Sequence, residues 1–275
     1  MDQNILRGNK IGAIEVPRLL AGYHSIRDLG NRIKFDDEQT ERELTAFLSS
    51  NIDAVIGAFS SDPGRYDRIR RIEEAAGKSF VMIDLMNLEV DGTVKTLREA
   101  ERKIAAAAAA GVRICVLDTI TTEKMVNKHK RMIEGVEEYL AMIHDAGMSA
   151  GIQANMPEII TYSDNNGYDA DVYVQNYNCA GFLMQVEIEQ CIQVIHSSRK
   201  PVITLDPVAG GKVTPYVGLT YSWNSIRSQD FIAFEVLYGF TAEEIIEISC
   251  AALEHRLPWC IGRDTPSKNK DIFKK

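Results

Sequence analysis

Three aspartates stand where acid–base or metal chemistry could be assembled. Asp84, Asp118 and Asp206 each lie at the end of a short, apolar, β-branched run. Carboxylates brought together raise one another's pKa or hold a divalent cation. The three are therefore candidate catalytic residues, and Asp84 and Asp118 are also candidate metal ligands. His24, the sole histidine at the end of such a run, joins the catalytic candidates. His129, His144, His196 and His255 fall in helical stretches or their approaches. No H-x-H, H-x-x-x-H or H-E-x-x-H spacing occurs. That disfavours a histidine-rich zinc hydrolase and leaves an oxygen-ligated divalent ion such as magnesium as the metal to expect. There is no G-x-S-x-G elbow, and no lysine ends a run, so neither a serine nucleophile nor a Schiff base is indicated.

Amides and glycines supply binding groups. Asn155, Gln175, Tyr177 and Asn178 follow the fifth and sixth runs and are candidates for holding substrate or cofactor. Gln153, Asn176, Asn87 and Glu235 are further polar residues at run ends. Gly210, Gly211 and Lys212 follow the seventh run and Gly239 follows the eighth. Glycine N–H groups beside a helix start can hold a phosphate, and Lys212 would add charge. The pattern is not a full P-loop.

These residues need a frame to converge on. Apolar runs at 18–23, 54–58, 80–85, 113–118, 150–154, 172–176, 202–206 and 231–235 predict strands buried on both faces. Between them lie helical stretches at 37–49, 65–76, 93–110, 130–145, 157–165, 183–196, 215–227 and 241–255. Gly77, Gly111 and Gly147 close three of these helices, and Thr241 with Glu244 forms a capping-box spacing. Strand and helix alternate about every 30 residues, the mark of a parallel α/β fold. Eight such units predict a single (βα)8 TIM barrel over 1–256, with 257–275 as a polar, basic tail. In such a barrel the strand ends carry function, so the polar residues named above would form one ring.

Composition sets the outer bounds. The 275 residues carry 31 Lys plus Arg against 39 Asp plus Glu, a net charge of -8. An acidic excess argues against a nucleic-acid or anionic-membrane binder. Mean hydropathy is -0.16, and no apolar run approaches a membrane span. Together with a start at Met1–Lys10 that lacks signal-peptide character, this predicts a cytoplasmic location. Five scattered cysteines without a C-x-x-C pair predict buried thiols, not a disulfide framework or zinc site.

The segments Ala-Gly-Ile-Gln-Ala-Asn-Met-Pro-Glu from Ala150, Asp-Val-Tyr-Val-Gln-Asn-Tyr-Asn from Asp171 and Pro-Val-Ile-Thr-Leu-Asp-Pro-Val-Ala-Gly-Gly from Pro201 resemble the aldo/keto reductases. The stretch from Asp230 to Glu244 is similar to that family's eighth strand and last helix. The resemblance implies a barrel, and it implies that Asn155 and Gln175 hold the nicotinamide amide of NADP or NAD. It also exposes a departure from the family's catalytic Asp, Tyr, Lys and His set. The Lys position holds Asp84, the His position falls close to Asp118, and the Asp position falls at Ile56 or Gly57. Tyr66 does not match the spacing of the catalytic Tyr, and the stacking aromatic is replaced by Leu205 or Asp206. A lysine would lower the tyrosine pKa, whereas an aspartate would raise it.

The sequence therefore predicts a barrel enzyme that acts on a small polar, phosphorylated or hydroxylated metabolite through strand-end carboxylates. The cofactor is undetermined, with NADP or a divalent metal as the candidates. A divergent NAD(P)-dependent oxidoreductase and a non-catalytic small-molecule-binding barrel are the alternatives. The expected partner is a small-molecule ligand, and self-association into a homo-oligomer is compatible with the fold.

Overall fold

The computed structural model describes residues 3–23, 37–235 and 240–260. The chain opens with a 3-10 turn (Gln3–Leu6) and a small antiparallel hairpin, β1 (Asn9–Ile11) and β2 (Ile14–Val16). The first four barrel strands are β3 (Leu19–Tyr23), β4 (Ala54–Gly57), β5 (Val81–Met86) and β6 (Val112–Leu117). A second short hairpin, β7 (Val126–Asn127) and β8 (Met132–Ile133), interrupts the alternation. The remaining strands are β9 (Ser149–Ala154), β10 (Val172–Asn176), β11 (Val202–Leu205) and β12 (Phe231–Glu235). The eight pair in parallel around a closed ring, β3-β4-β5-β6-β9-β10-β11-β12, with β12 returning to β3. The expected (βα)8 barrel is thus observed.

Side chains alternate across each strand, so the barrel has two apolar layers. Leu20, Ile56, Ile83, Val116, Val174 and Phe231 belong to the inner cluster. Leu19, Val55, Met82, Leu117, Tyr173 and Ile232 belong to the outer cluster, packed beneath the helices. Ile11 and Val16 of the opening hairpin also join the inner cluster. The hairpin therefore plugs the end of the barrel where the strands begin, and Ser149 at the start of β9 donates to the Ile11 carbonyl at 3.5 Å. Nothing in the local pattern of 1–16 announced this plug, because its strands are only three residues each.

The outer helices are α1 (Asp37–Ser49), α2 (Gly64–Ala76), α3 (Val94–Ala109), α4 (Thr119–Met125), α5 (Val136–Asp145), α6 (Glu158–Asn166), α7 (Ile188–Ser197), α8 (Pro215–Ser225) and α9 (Ala242–Leu253). Two expectations are corrected. The helix expected at 130–145 starts only at Val136, as α5, and α4 and the hairpin β7–β8 fill the stretch between β6 and it. The Asp118 side chain caps α4 directly after β6, and Gly135, at φ 76°, starts α5. The helix at 183–196 begins only at Ile188, because Leu183 is left-handed at φ 56°.

At the chain end, 257–260 stays close to α9. Glu247 is buried on α9 and takes an ion pair from Arg256, while the Trp259 N–H donates to its Oε1 at 3.0 Å. Residues 261–275 lie outside the described part.

Close strand packing leaves one glycine no freedom to grow. A Cβ at Gly57 would stand 2.0 Å from the carbonyl oxygen of Tyr23 on the neighbouring strand. Backbone, not a flexible side chain, would have to move. Gly57→Ala should therefore lower unfolding free energy by about 1–3 kcal/mol or more, read as a reduced midpoint in urea.

Candidate active site at the barrel mouth

The parity of each strand decides which polar residue faces the barrel axis. Ile83 and Leu85 are in the inner layer, so Asn87, two residues on, continues the axial face, and Asp84 does not. Ile114 and Val116 put Asp118 on that face. Val172 and Val174 put Asn176 there, and Phe231 and Ala233 put Glu235 there. On β9 the outer residues are Ala150, Ile152 and Ala154, which leaves Gln153 and Asn155 axial. On β3 the axial position is Gly22. A Cβ at Gly22 would lie 3.0 Å from Glu235 Oε2, so the missing side chain gives room for that carboxyl.

The three aspartates do not converge. Asp84 is fully buried on the outer face of β5, where its Oδ1 accepts the Ser60 N–H at 3.1 Å and its Oδ2 the Tyr66 hydroxyl at 3.4 Å. Burial pushes its carboxyl up to about 6, against the pull of these hydrogen bonds. Burial and the neighbouring Asp84 raise the Tyr66 hydroxyl far above its ordinary value. Burial is the larger cause, and the charge of Asp84 adds to it. The pair braces the 3-10 turn Phe59–Ser61 against β5.

Asp118 is axial, but its oxygens are committed. Oδ1 accepts from the Thr121 N–H at 2.9 Å and the Thr121 hydroxyl at 2.8 Å, and Asn87 Nδ2 donates to both oxygens at 3.1 and 3.2 Å. It is a helix cap that also orients Asn87. Asp206 directly follows Leu205, the last and inner-facing residue of β11, where its left-handed backbone breaks the strand's alternation, and it stands across the ring from β5, four strands away in either direction. Among the described residues, no group of three or more His, Cys, Asp and Glu is placed to hold a metal ion. The pairing of Asp84 with Asp118 as metal ligands is therefore corrected. Adjacent residue faces point to opposite sides of the barrel wall. His24 and Gly239 lie outside the described residues.

The amides separate in the same way. Gln175 is outer-facing and fully buried, with Nε2 donating to the carbonyls of Asn155 and Asn176 at 3.1 and 3.2 Å. Asn176, not Gln175, faces the axis, and its Nδ2 donates to Asn155 Oδ1 at 3.3 Å. The Asn155 and Gln175 side chains therefore do not form a joint amide-binding pair. The described residues do not fit a nicotinamide held in that way. Tyr177 is buried under α8, its hydroxyl 2.9 Å from that of Tyr221. Asn178 folds its own loop, accepting from the N–H groups of Ala180 and Phe182 and donating to the Phe182 carbonyl.

The glycine loop after β11 spends its donors internally. The N–H of Ala209 goes to the Asp206 carbonyl, that of Gly210 to Asp206 Oδ1, that of Gly211 to Val208 and that of Lys212 to Ala209. Lys212 lies over the Phe182 ring, 3.7 Å from its centroid. The backbone N–H groups from Ala209 to Lys212 are therefore not free to cradle a phosphate. Their hydrogen bonds stabilise a tight turn instead.

Within that turn, one carboxyl is left half satisfied. Asp206 is 2 % exposed and left-handed at φ 57°. Oδ1 is held by Gly210 at 2.8 Å, while Oδ2 is buried with no hydrogen-bond partner. Burial chiefly, and the charge of Glu235 secondarily, push it up to about 7, against the pull of the Gly210 N–H and Lys212. Asp206 and Glu235 come from neighbouring strands at the mouth. Glu235 was visible in the sequence as a strand end. What marks it as axial is the two-residue step from Phe231 and Ala233.

Fold and site define a single (βα)8 barrel whose mouth is lined with carboxylates and amides. No family model matches the chain, and no curated protein matches it. Among solved structures, a candidate aldo-keto reductase from Pseudomonas aeruginosa superposes with a TM-score of 0.63 at 14 % identity, covering 90 % of this chain and 96 % of that one. An aldo-keto reductase of the silkworm Bombyx mori gives 0.57 at 10 % identity, over 91 % and 87 %. The ribulose-1,5-bisphosphate carboxylase/oxygenase of Pyrococcus horikoshii gives 0.56 at 12 %, over 90 % and 60 %. Reductases and a carboxylase share this architecture, so the likeness is one of fold.

Proposed function

We propose that the protein is a barrel enzyme acting on a small polar metabolite, with Asp206 transferring a proton and Glu235 assisting beside it. The observation that carries this reading is the buried, unpartnered Oδ2 of Asp206 at the C-terminal end of a barrel strand. A buried polar atom without a partner costs stability, and such costs concentrate where chemistry needs the group. The left-handed backbone at Asp206 is a second cost at the same residue. A carboxyl at about 7 can take or give a proton at neutral pH, the range where general acid–base catalysis is most effective. The Gly210 N–H fixes one oxygen and leaves the other to exchange the proton with a substrate hydroxyl or carbonyl.

Glu235 keeps a second negative charge close by, which favours the protonated form of Asp206. Asp118 serves as a positioning residue through Asn87, and Asp84 as a brace of the wall. A purely binding barrel would have no use for a carboxyl held near neutrality.

A carboxyl titration followed by carbon-detected NMR tests the assignment. Asp206 should titrate near 7. Glu235→Gln should lower that midpoint but leave it above the ordinary carboxylate range, because burial is the larger cause. An Asp206 that titrates like a surface aspartate would remove it from this role.

A further inference from the structure

We infer that Phe182, from the loop between β10 and α7, is a positioning residue for Asp206: its ring clamps the turn at Gly210 and so holds the Asp206 carboxyl in place. This deepens the reading just given and rests on it, since Asp206 needs placing as the proton-transferring group. The contacts that carry the clamp are independent of that reading.

The turn after β11 is costly to maintain. Asp206 and Ala209 are non-glycine residues in the left-handed region, at φ 57° and 52°. Such backbone persists only where surrounding contacts over-determine it. Bonds within the turn define its shape, and Phe182 adds support from another loop. Its ring fills the space that a Gly210 side chain would take, since a Cβ there would stand 2.6 Å from Phe182 Cε1. Lys212 Nζ lies over the same ring, 3.7 Å from its centroid, as a cation–π contact. Phe182 therefore meets the turn on both sides of Gly211. The residue it presses on is the one that matters for the carboxyl, because the Gly210 N–H donates to Asp206 Oδ1 at 2.8 Å.

Phe182 is itself fixed at both of its backbone polar groups. Asn178, fully buried, accepts the Phe182 N–H at 2.9 Å and donates to the Phe182 carbonyl at 2.9 Å. At the base of the same loop, the Tyr177 N–H donates at 3.1 Å to the carbonyl of Leu205, the residue before Asp206. The two loops are thus joined at their base and again at the ring. A line of contacts runs from Asn178 through Phe182 and Gly210 to Asp206. Loss of the ring would let the left-handed residues relax and would admit water to the buried Oδ2.

The test compares Phe182→Ala and Phe182→Tyr in the full chain by carboxyl titration and amide hydrogen exchange, both read by NMR. Phe182 is only partly buried, so both variants should fold. In Phe182→Ala the Asp206 midpoint should fall from about 7 by about one pH unit or more. Lost burial lowers it and the loosened Gly210 bond raises it, and burial is the larger cause. The charges of Glu235, which raises the midpoint, and Lys212, which lowers it, are present in every variant. The Gly210 amide should exchange about tenfold or more faster. Phe182→Tyr keeps the ring and should match the parent in both readouts. A loss of packing alone would lower overall stability without moving the Asp206 titration. With the parent's Asp206 near 7, a midpoint unmoved by Phe182→Ala would overturn the inference and leave the acid–base reading intact. With the parent's Asp206 titrating as an ordinary carboxylate, Gly210 exchange decides. An unchanged rate in Phe182→Ala overturns the clamp as well, whereas a quickened one keeps the clamp and sinks the acid–base reading alone.

Discussion

The Asp206→Asn variant should be more stable than the parent protein at pH 8, by up to about 4 kcal/mol, and should lose turnover by about a hundred- to ten-thousandfold. Both effects have one cause. The folded chain holds the Asp206 proton up to about 7, whereas an ordinary aspartate releases it near 3.8. Between those values the folded state binds a proton that the unfolded state has released. Stability is therefore lost as pH rises through this window, and the loss is complete above it. Asparagine has no charge to bury, so the gain should vanish at pH 3 and be full at pH 8. Urea unfolding at the two pH values measures it directly. Asp84→Asn is the matching control. Its carboxyl is also raised by burial, to about 6, so its stability effect has the same sign. It faces away from the axis, so its turnover should stay within a few-fold of the parent. Equal turnover losses in both variants would show that the proton-transferring group had been misassigned.

The largest destabilisation is expected far from the mouth, at Asp230. This carboxylate is completely buried just before β12. It accepts the Val202 N–H at 2.9 Å, the Arg227 N–H at 2.9 Å, Arg227 Nε at 2.9 Å and Arg227 Nη2 at 2.7 Å. The Arg227 guanidinium also donates to the Ser198 and Lys200 carbonyls, and Arg18 donates to the carbonyls of Asp230 and Arg227. The cluster ties the starts of β3, β11 and β12 to the end of α8. Asp230→Ala would leave a half-buried arginine without its counter-charge and two backbone N–H groups without acceptors. It should lower unfolding free energy by about 3–5 kcal/mol. Removing both partners should cost less than the sum of the single losses, because most of the single-variant penalty is the stranded group. Additive losses in the double variant would show that the pair is not coupled.

The two sites differ in how far they could be read from residue types. The barrel was legible because burial on both faces imposes continuous apolar runs, and eight such runs separated by helical stretches permit few other closures. The Asp84–Tyr66 contact was not legible, because the spacing of Tyr66 along the chain says nothing of its approach to a residue eighteen positions away on the next strand. The opening hairpin and the β7–β8 hairpin were not legible, since strands of two or three residues carry too little pattern. The glycine loop was misread for a different cause. Gly210 and Gly211 do adopt the left-handed backbone that glycine allows, but the N–H groups so turned are used within the loop.

The sequence by itself determined the class of architecture and the run of polar residues at the strand ends. Each depends on composition and periodicity along the chain, which folding does not alter. Only the tertiary structure decided which way each of these polar side chains faces. A single residue's displacement along a strand turns its side chain from the axis to the wall, so Asp84 and Gln175 went outward while Asn87 and Asn176 stayed within. Ring closure then brought Asp206 beside Glu235, residues from two strands that meet only because the barrel holds them next to each other.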